Sequence, residues 1–206
     1  MNFLPHLAMV AAVMLLACIS PGPDLIAVSS HGLNSRRAGL AVAAGIASSH
    51  AVWAALTIFG LGLLISQLAG LYWVIRMAGA LYLLYLGVGM LRGLWRPEQE
   101  SALARAETRG AAAAYKKGLT VGLTNPKAAT FFGSLFVTLL PVHAPVWVLG
   151  MTWLSVVLVS IGWFSLVACL FSTRAVQQGY ARLRKPIDAV MGTLLLALGA
   201  RLALDH

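Results

Sequence analysis

The chain has 206 residues, of which 60% are hydrophobic and only 10% are charged, and its mean hydropathy is +0.84. Soluble domains carry about 25% charged residues, so this composition cannot cover a water-facing surface and excludes an ordinary soluble enzyme. The 15 Lys and Arg residues outnumber the 6 Asp and Glu residues, which gives a net charge of +9. In a soluble chain that excess would indicate nucleic-acid binding. Here the basic residues cluster between apolar runs, which is typical of membrane topology instead.

Six apolar runs are long enough to cross a membrane, since a spanning helix needs about 20 apolar residues. No Lys or Arg precedes the first run, whereas a secretory signal peptide begins with a positive region, so we interpret this run as the first helix. The sequence therefore predicts an all-α integral membrane protein with six transmembrane helices. They lie at roughly 6–30, 39–65, 70–92, 118–140, 146–171 and 187–204.

A polar stretch divides the chain into two halves. Residues 93–117 form the predicted cytoplasmic linker between a first three-helix repeat, 1–92, and a second, 118–206. Twelve of the 15 Lys and Arg residues lie in or at the edges of the first, third and fifth connections. Cytoplasmic loops collect Lys and Arg, so these connections are predicted to face the cytoplasm and both termini to lie outside. With three helices each, the repeats enter the membrane from opposite sides, as in many secondary transporters.

The predicted first and fourth helices each contain a proline interruption. The interrupting motifs are Pro21-Gly22-Pro23-Asp24 and Asn125-Pro126-Lys127. Proline removes a backbone donor and breaks the helical hydrogen-bond ladder, which is tolerated inside a membrane only where the backbone faces protein or a water-filled cavity. A matched pair of interrupted helices is the best sequence indication of a transporter binding site.

Asp24 and Lys127 are predicted to lie near the middle of the membrane. At about 1.5 Å per helical residue, Lys127 lies about 15 Å beyond Lys117, and Asp24 lies about 18 Å before Arg36. Ionisable groups at such depth are costly and usually functional. The free N-terminus of a half-helix attracts a carboxylate and free C-terminal carbonyls attract an ammonium, so a zwitterionic amino acid fits the two poles. The alternative is a structural ion pair between Asp24 and Lys127 that holds the halves together.

These motifs resemble the LysE/RhtB family of amino-acid exporters. The resemblance rests on the two proline motifs and the basic loop after helix 1, and it covers essentially the whole chain. It implies a secondary exporter of amino acids or related metabolites in the bacterial cytoplasmic (inner) membrane, driven by proton antiport with alternating access. On this interpretation the substrate and proton site comprises Pro21, Gly22, Pro23, Asp24, His50, Asn125, Pro126 and Lys127. Which amino acid is exported stays open, as does the formation of a homo-oligomer.

His50 joins this site because of its place near the middle of helix 2. A histidine titrates close to neutral pH and can relay protons, and Ser48 and Ser49 precede it. The alternative is a packed histidine that is hydrogen-bonded to a facing backbone, and the sequence supports both equally. Earlier in the same helix, Ala41 and Gly45 stand at four-residue steps with Ser49, which predicts close packing against another helix.

A second class of function stays open, a membrane thiol–disulfide electron carrier of the DsbD/CcdA type. Such a carrier needs two cysteines that meet, conventionally on the two broken helices, whereas this chain has Cys18 in helix 1 and Cys169 in helix 5. The sequence contains no Walker, HExxH or GxSxG motif and no metal-ligand spacing of cysteines. The protein is therefore predicted to be no enzyme and to use no cofactor or metal; its partners are the amino acid, protons and the lipid bilayer.

Overall fold

The computed structural model describes residues 3–67, 69–94, 110–139, 144–170 and 174–204. Over these residues the chain is helical apart from short connections and contains no β-strand, which confirms the all-α prediction. The helices in chain order are α1 (Leu4–Ile19), α2 (Pro23–Gly32), α3 (Arg36–Gln67), α4 (Ala69–Gly93), α5 (Ala111–Thr124), α6 (Pro126–Leu139), α7 (Val146–Leu170) and α8 (Arg174–Leu204).

Two helices in the described ranges are long and apolar enough to cross a membrane. They are α3 over Arg36–Ile58 and α7 over Val146–Leu170. Helices α1 and α2 form a third candidate if the pair is one span, with a bend of 63° at the break between them. The other helices overlap the remaining predicted spans, and the full set of six spans stays a prediction.

The break between α1 and α2 lies at the first proline motif. Ser20 ends α1 in an extended conformation, with φ −62° and ψ 131°, and Gly22 is also extended, with φ −175° and ψ −179°. Pro23 begins α2, where its missing N–H has no intrahelical partner in any case and its fixed φ suits the first turn. The prolines therefore end one helix and start the next, as the sequence predicts.

The break between α5 and α6 lies at the second proline motif. Asn125 adopts φ −72° and ψ 108°, because the ring of Pro126 disfavours a helical conformation in the preceding residue. The Asn125 side chain replaces one of the helical backbone hydrogen bonds lost at the break. Its Oδ1 accepts a hydrogen bond of 3.0 Å from the Lys127 backbone N–H. Asn125 thus caps α6 in the manner of a helix N-cap.

Two helix boundaries differ from the predicted ones. Helix α8 begins at Arg174 rather than near 187 and continues through Pro186, so the basic segment predicted to be a loop is helical. Apolarity marks only the part of a helix that contacts lipid or the core, which is why the polar first turns of α8 were missed. Helix α5 begins at Ala111, inside the predicted linker 93–117, of which residues 95–109 lie outside the described residues.

Helix α3 has the central position in the packing. It contacts α2, α5 and α7, while α4 packs along α8 and α1 packs against α7. Two indole N–H groups form hydrogen bonds to backbone carbonyls of neighbouring helices. Trp53 of α3 donates to the Gly122 carbonyl at 3.2 Å, and Trp153 of α7 donates to the Ala51 carbonyl at 2.9 Å.

The contact between α3 and α5 is close because glycines face each other across it. A Cβ on Gly45 would overlap the Tyr115 carbonyl, and a Cβ on Gly118 would overlap the Val42 carbonyl. Ser49 of α3 continues this contact, since a Cβ on Gly122 would overlap its hydroxyl. Gly45 and Ser49, two of the small residues at four-residue steps, therefore do face another helix, and it is α5.

We expect Gly45→Ala to destabilise the protein, because its Cβ would meet the α5 backbone. Overpacking of this kind typically costs about 1–3 kcal/mol. Gly60 lies in the same helix, and a methyl group added there would meet no described atom of a neighbouring element within 4 Å. Gly60→Ala is therefore the matched control and should be neutral or stabilising, as alanine favours helix. Thermal unfolding in detergent measures both variants, and equal midpoints would contradict the close contact.

Candidate functional site

A small cavity lies where the two breaks meet. Its volume is about 30 Å³, enough for water but far too small for an amino acid. The polar part of its wall comes from the two breaks and from α3, and the apolar part from α1, α2, α6 and α7. It is lined by Met14, Ala17, Cys18, Ser20, Gly22, Asp24, Leu25, His50, Asn125, Lys127, Ala128, Phe131, Phe132 and Phe164.

Asp24 stands in the first turn of α2 and is buried. An acidic group is favoured at this end of a helix by the unpaired N–H groups and the helix dipole. Its Oδ2 lies 3.2 Å from His50 Nε2. Its Oδ1 is buried and has no hydrogen-bond partner among the described residues. A buried acceptor without a partner is costly, so this oxygen is available to a proton or a ligand donor.

His50 is held from both sides of its ring. Nε2 faces Asp24, and Nδ1 lies 2.9 Å from the hydroxyl of Ser160 on α7. The aromatic rings of Phe132 and Phe164 pack against the imidazole, with centroids at 5.3 Å and 5.9 Å. The imidazole is therefore fixed in orientation by two hydrogen bonds and two aromatic contacts, and its polar partners are side chains rather than a facing backbone.

Lys127 stands in the first turn of α6 and reaches across to the end of α1. Its Nζ donates to the Ser20 carbonyl at 3.2 Å and lies 3.5 Å from the Pro21 carbonyl. These carbonyls belong to the end of a helix, where acceptors have no intrahelical partner. The ammonium thus binds the negative end of the α1 dipole. Gly22 lies beside this side chain: a Cβ added there would stand 3.5 Å from Lys127 Cδ, an ordinary van der Waals contact.

Asp24 and Lys127 do not form the direct ion pair that the sequence left open as the alternative. No oxygen of Asp24 lies within 4.0 Å of Lys127 Nζ, whereas Asp24 Oδ2 lies 3.2 Å from His50 Nε2. Because α1 ends between the two charged groups, its free carbonyls take the ammonium, while the imidazole takes the carboxylate. The two charges therefore share a cavity without neutralising each other directly, which also removes the alternative of a structural ion pair.

The eight predicted site residues divide into two groups. Five of them line the cavity, namely Gly22, Asp24, His50, Asn125 and Lys127. The three prolines, Pro21, Pro23 and Pro126, do not line it; they create the breaks that expose the helix ends. Sequence reasoning missed Ser160 and Ser20, and it carries no signal for Ser160, whose place depends on how α7 packs along α3.

Cysteines and metal ligands add little to this site. Cys18 and Cys169 form no disulfide with each other, and of the two only Cys18 lines the cavity. A thiol relay would need both cysteines there, so nothing in the described ranges favours that alternative. Within the same ranges no group of three His, Cys, Asp or Glu side chains could hold a metal ion.

Comparison with known proteins identifies relatives along nearly the whole chain. The family model described as LysE type translocator matches residues 15–206. The chain is 34% identical over 199 residues to a threonine efflux protein of Escherichia coli K12, covering 96% of this chain and 97% of that protein. It is 33% identical over 209 residues to a leucine efflux protein of Klebsiella pneumoniae, covering 98% and 95%. No solved structure matches the chain significantly.

Proposed function

The chain belongs to the LysE-type translocator family, and from this premise we propose that it is a secondary exporter of amino acids. Its relatives of nearly equal length are named for the efflux of threonine and of leucine. Both substrates are zwitterions with an uncharged side chain. The observation that carries the proposal is the cavity at the two helix breaks, which is lined by one acidic and one basic residue from different breaks.

We further propose that six spans form two inverted three-helix repeats, 1–92 and 118–206, joined by a cytoplasmic linker at 93–117. Two features support the symmetry. Asp24 and Lys127 each directly follow the proline that begins a half-helix, Pro23 of α2 and Pro126 of α6. The packing is also reciprocal, since α3 contacts α5 as α7 contacts α1, and α4 contacts α8. The basic connections would then face the cytoplasm, with both termini outside.

The substrate would be bound by its two charges. Asp24 Oδ1 and Ser20 Oγ are buried acceptors without partners in the described part of the chain, and an α-ammonium group would supply the donors that both lack. Lys127 would bind the α-carboxylate, for which it must leave the Ser20 and Pro21 carbonyls. The apolar side of the cavity favours an uncharged side chain over a lysine-like one. That side is lined by Met14, Phe131, Phe132 and Phe164.

Transport would alternate access to this cavity from the two sides of the bacterial inner membrane. The cavity of about 30 Å³ must widen before an amino acid can enter, so transport requires a change of conformation at the two breaks. Coupling follows if a proton and the substrate ammonium compete for Asp24. Protons entering from outside would then displace the amino acid, and the proton gradient would drive efflux.

Efflux from vesicles tests the proposal. Purified protein is reconstituted into liposomes loaded with radiolabelled threonine or leucine, and an inwardly directed proton gradient is imposed. We expect the gradient to accelerate the release of at least one of them, and a protonophore to abolish the acceleration. Labelled lysine serves as the comparison for a cationic side chain and should leave more slowly. Release of threonine, leucine and lysine at the rate of protein-free liposomes would refute amino-acid export.

A further inference from the structure

A chain of buried polar groups crosses three helices beside the cavity. Asp24 of α2, His50 of α3 and Ser160 of α7 are joined by contacts of 3.2 Å and 2.9 Å, and all three are buried. Ser160 itself does not line the cavity, so it has no direct access to a substrate there. Its polar contacts with the site are to the imidazole of His50 and to the thiol of Cys18.

The Ser160 hydroxyl behaves unlike other hydroxyls in these helices. Ser48, Ser155 and Thr193 each donate to the carbonyl four residues earlier, which is the usual way for a helical hydroxyl to satisfy itself. Ser160 instead bonds to a side chain 110 residues away in sequence. It lies on the buried stripe of α7, one helical turn from Val156 and one from Phe164.

Resting on the proposed function, we infer that Ser160 is a positioning residue for the coupling proton, which the Asp24–His50 pair holds jointly. When the pair carries one proton, His50 Nε2–H donates to Asp24 Oδ2, and Nδ1 accepts a hydrogen bond from the Ser160 hydroxyl. When a second proton arrives, Nδ1–H forms and donates to the same hydroxyl oxygen. A hydroxyl can both donate and accept, so Ser160 satisfies His50 in either state.

Other charged and titratable groups lie around the Asp24–His50 pair, but they do not contact the imidazole nitrogens. Lys127 faces the cavity from α6 and is bound to the α1 carbonyls, and Cys18 faces it from α1. Asp24 and, more weakly, Asp188 of α8 interact electrostatically with Lys127. Among these groups only Asp24 and Ser160 contact the imidazole nitrogens, so loss of the Ser160 hydroxyl acts directly on the protonation of the imidazole.

Replacement of Ser160 by alanine should therefore change the pH dependence of efflux. Without the hydroxyl, the doubly protonated pair has a buried, charged Nδ1–H with no acceptor, whereas the singly protonated pair has only a neutral Nδ1 with no donor. The first state carries the larger energetic penalty, so the variant disfavours the second proton. We expect the acidic limb of the pH–efflux profile to move to lower pH by about one unit and maximal efflux to fall about tenfold. The substrate concentration for half-maximal efflux should stay within about twofold, because Ser160 does not line the cavity.

Two variants control for packing. Ser160→Thr retains a hydroxyl and should restore the wild-type pH profile. Ser155→Ala removes a hydroxyl from the same helix that bonds only to the Met151 carbonyl, and it should leave the profile unchanged. A Ser160→Ala profile that coincides with the wild type, in a preparation where the wild type transports, would overturn the inference while leaving the exporter proposal intact.

Nuclear magnetic resonance provides a readout that does not depend on transport. In protein labelled with ¹⁵N-histidine, the His50 signals are those lost in His50→Gln. Above neutral pH we expect His50 to carry its proton on Nε2 and to accept at Nδ1, and Ser160→Ala should shift the Nδ1 signal. A proton on Nδ1 under these conditions would overturn the assignment. The position of the proton on the His50 ring can be measured even if the wild type exports no amino acid or if Ser160→Ala fails to fold. Absence of export would refute the proposed function alone.

Discussion

Asp24→Asn should abolish the response of efflux to a proton gradient. A neutral amide removes the negative charge with which the Asp24–His50 pair holds the coupling proton. It also offers a weaker hydrogen-bond acceptor to His50 and to the substrate ammonium. Hydrogen bonds to charged groups contribute about 1.5–3 kcal/mol, and about 1.4 kcal/mol corresponds to a tenfold change. We therefore expect efflux driven by the gradient to fall by about 10- to 100-fold. The measurement is release of labelled substrate from liposomes with and without the gradient.

The same variant separates coupling from transport in general. Exchange of internal labelled substrate for external unlabelled substrate needs no net proton movement, so Asp24→Asn should lose less of this exchange than of gradient-driven efflux. Asp24→Glu keeps the charge and should retain part of the gradient response. If Asp24→Asn released substrate under a gradient as fast as the wild type, the proton would have to bind elsewhere, and the role given to Asp24 would be wrong.

The helix breaks could be predicted from the sequence because proline acts locally. A proline restricts its own φ, removes its own donor and restrains the residue before it, so its effect needs no knowledge of the fold. For the same reason Asp24 and Lys127 could be placed at the breaks, although the sequence did not show that each begins a half-helix. Their depth in the membrane stays a prediction, made by counting residues to the nearest basic segment. The apolar runs likewise predicted helices over α3, α4 and α7 with bounds that differ from the structure by a few residues.

The partners of these charges could not be predicted, because they depend on how separate helices pack. Asp24 meets His50 rather than Lys127 since α2 and α3 lie side by side. Lys127 meets Ser20 because its long side chain reaches from the first turn of α6 to the end of α1. Ser160 is the extreme case. Its two neighbours in sequence are a valine and an isoleucine, and only the packing of α7 along α3 distinguishes it from the other serines of that helix.

The Lys127 ammonium competes with the substrate ammonium for the carbonyls at the end of α1. Its ammonium already occupies the carbonyls at the end of α1, where the ammonium of an amino acid would also be attracted. Binding of a substrate carboxylate would draw Lys127 away and free those carbonyls for the substrate ammonium. The two poles of the zwitterion would thus be bound in a linked step, and a ligand with only one of the charges would gain only part of the binding energy.

Removal of the Lys127 charge should weaken substrate binding more than it weakens the fold. In Lys127→Gln a shorter polar side chain keeps a donor for the Ser20 carbonyl but loses the attraction for a carboxylate, whereas Lys127→Met loses both. A charge-assisted hydrogen bond contributes about 1.5–3 kcal/mol, so the substrate concentration for half-maximal efflux should rise about 10- to 100-fold in both variants. Only Lys127→Met should also lower the unfolding temperature, because it leaves helix-end carbonyls without a donor.

Lys117→Met is the matched control, since Lys117 is exposed on α5 and lies outside the cavity lining. It should leave both the half-maximal concentration and the unfolding temperature close to those of the wild type. An unchanged half-maximal concentration in Lys127→Gln, together with a lowered unfolding temperature in Lys127→Met, would assign Lys127 a purely structural role at the end of α1. The substrate carboxylate would then need a different cation, and among the residues that line this cavity Lys127 is the only lysine or arginine. The linked binding of both poles therefore depends on that single side chain.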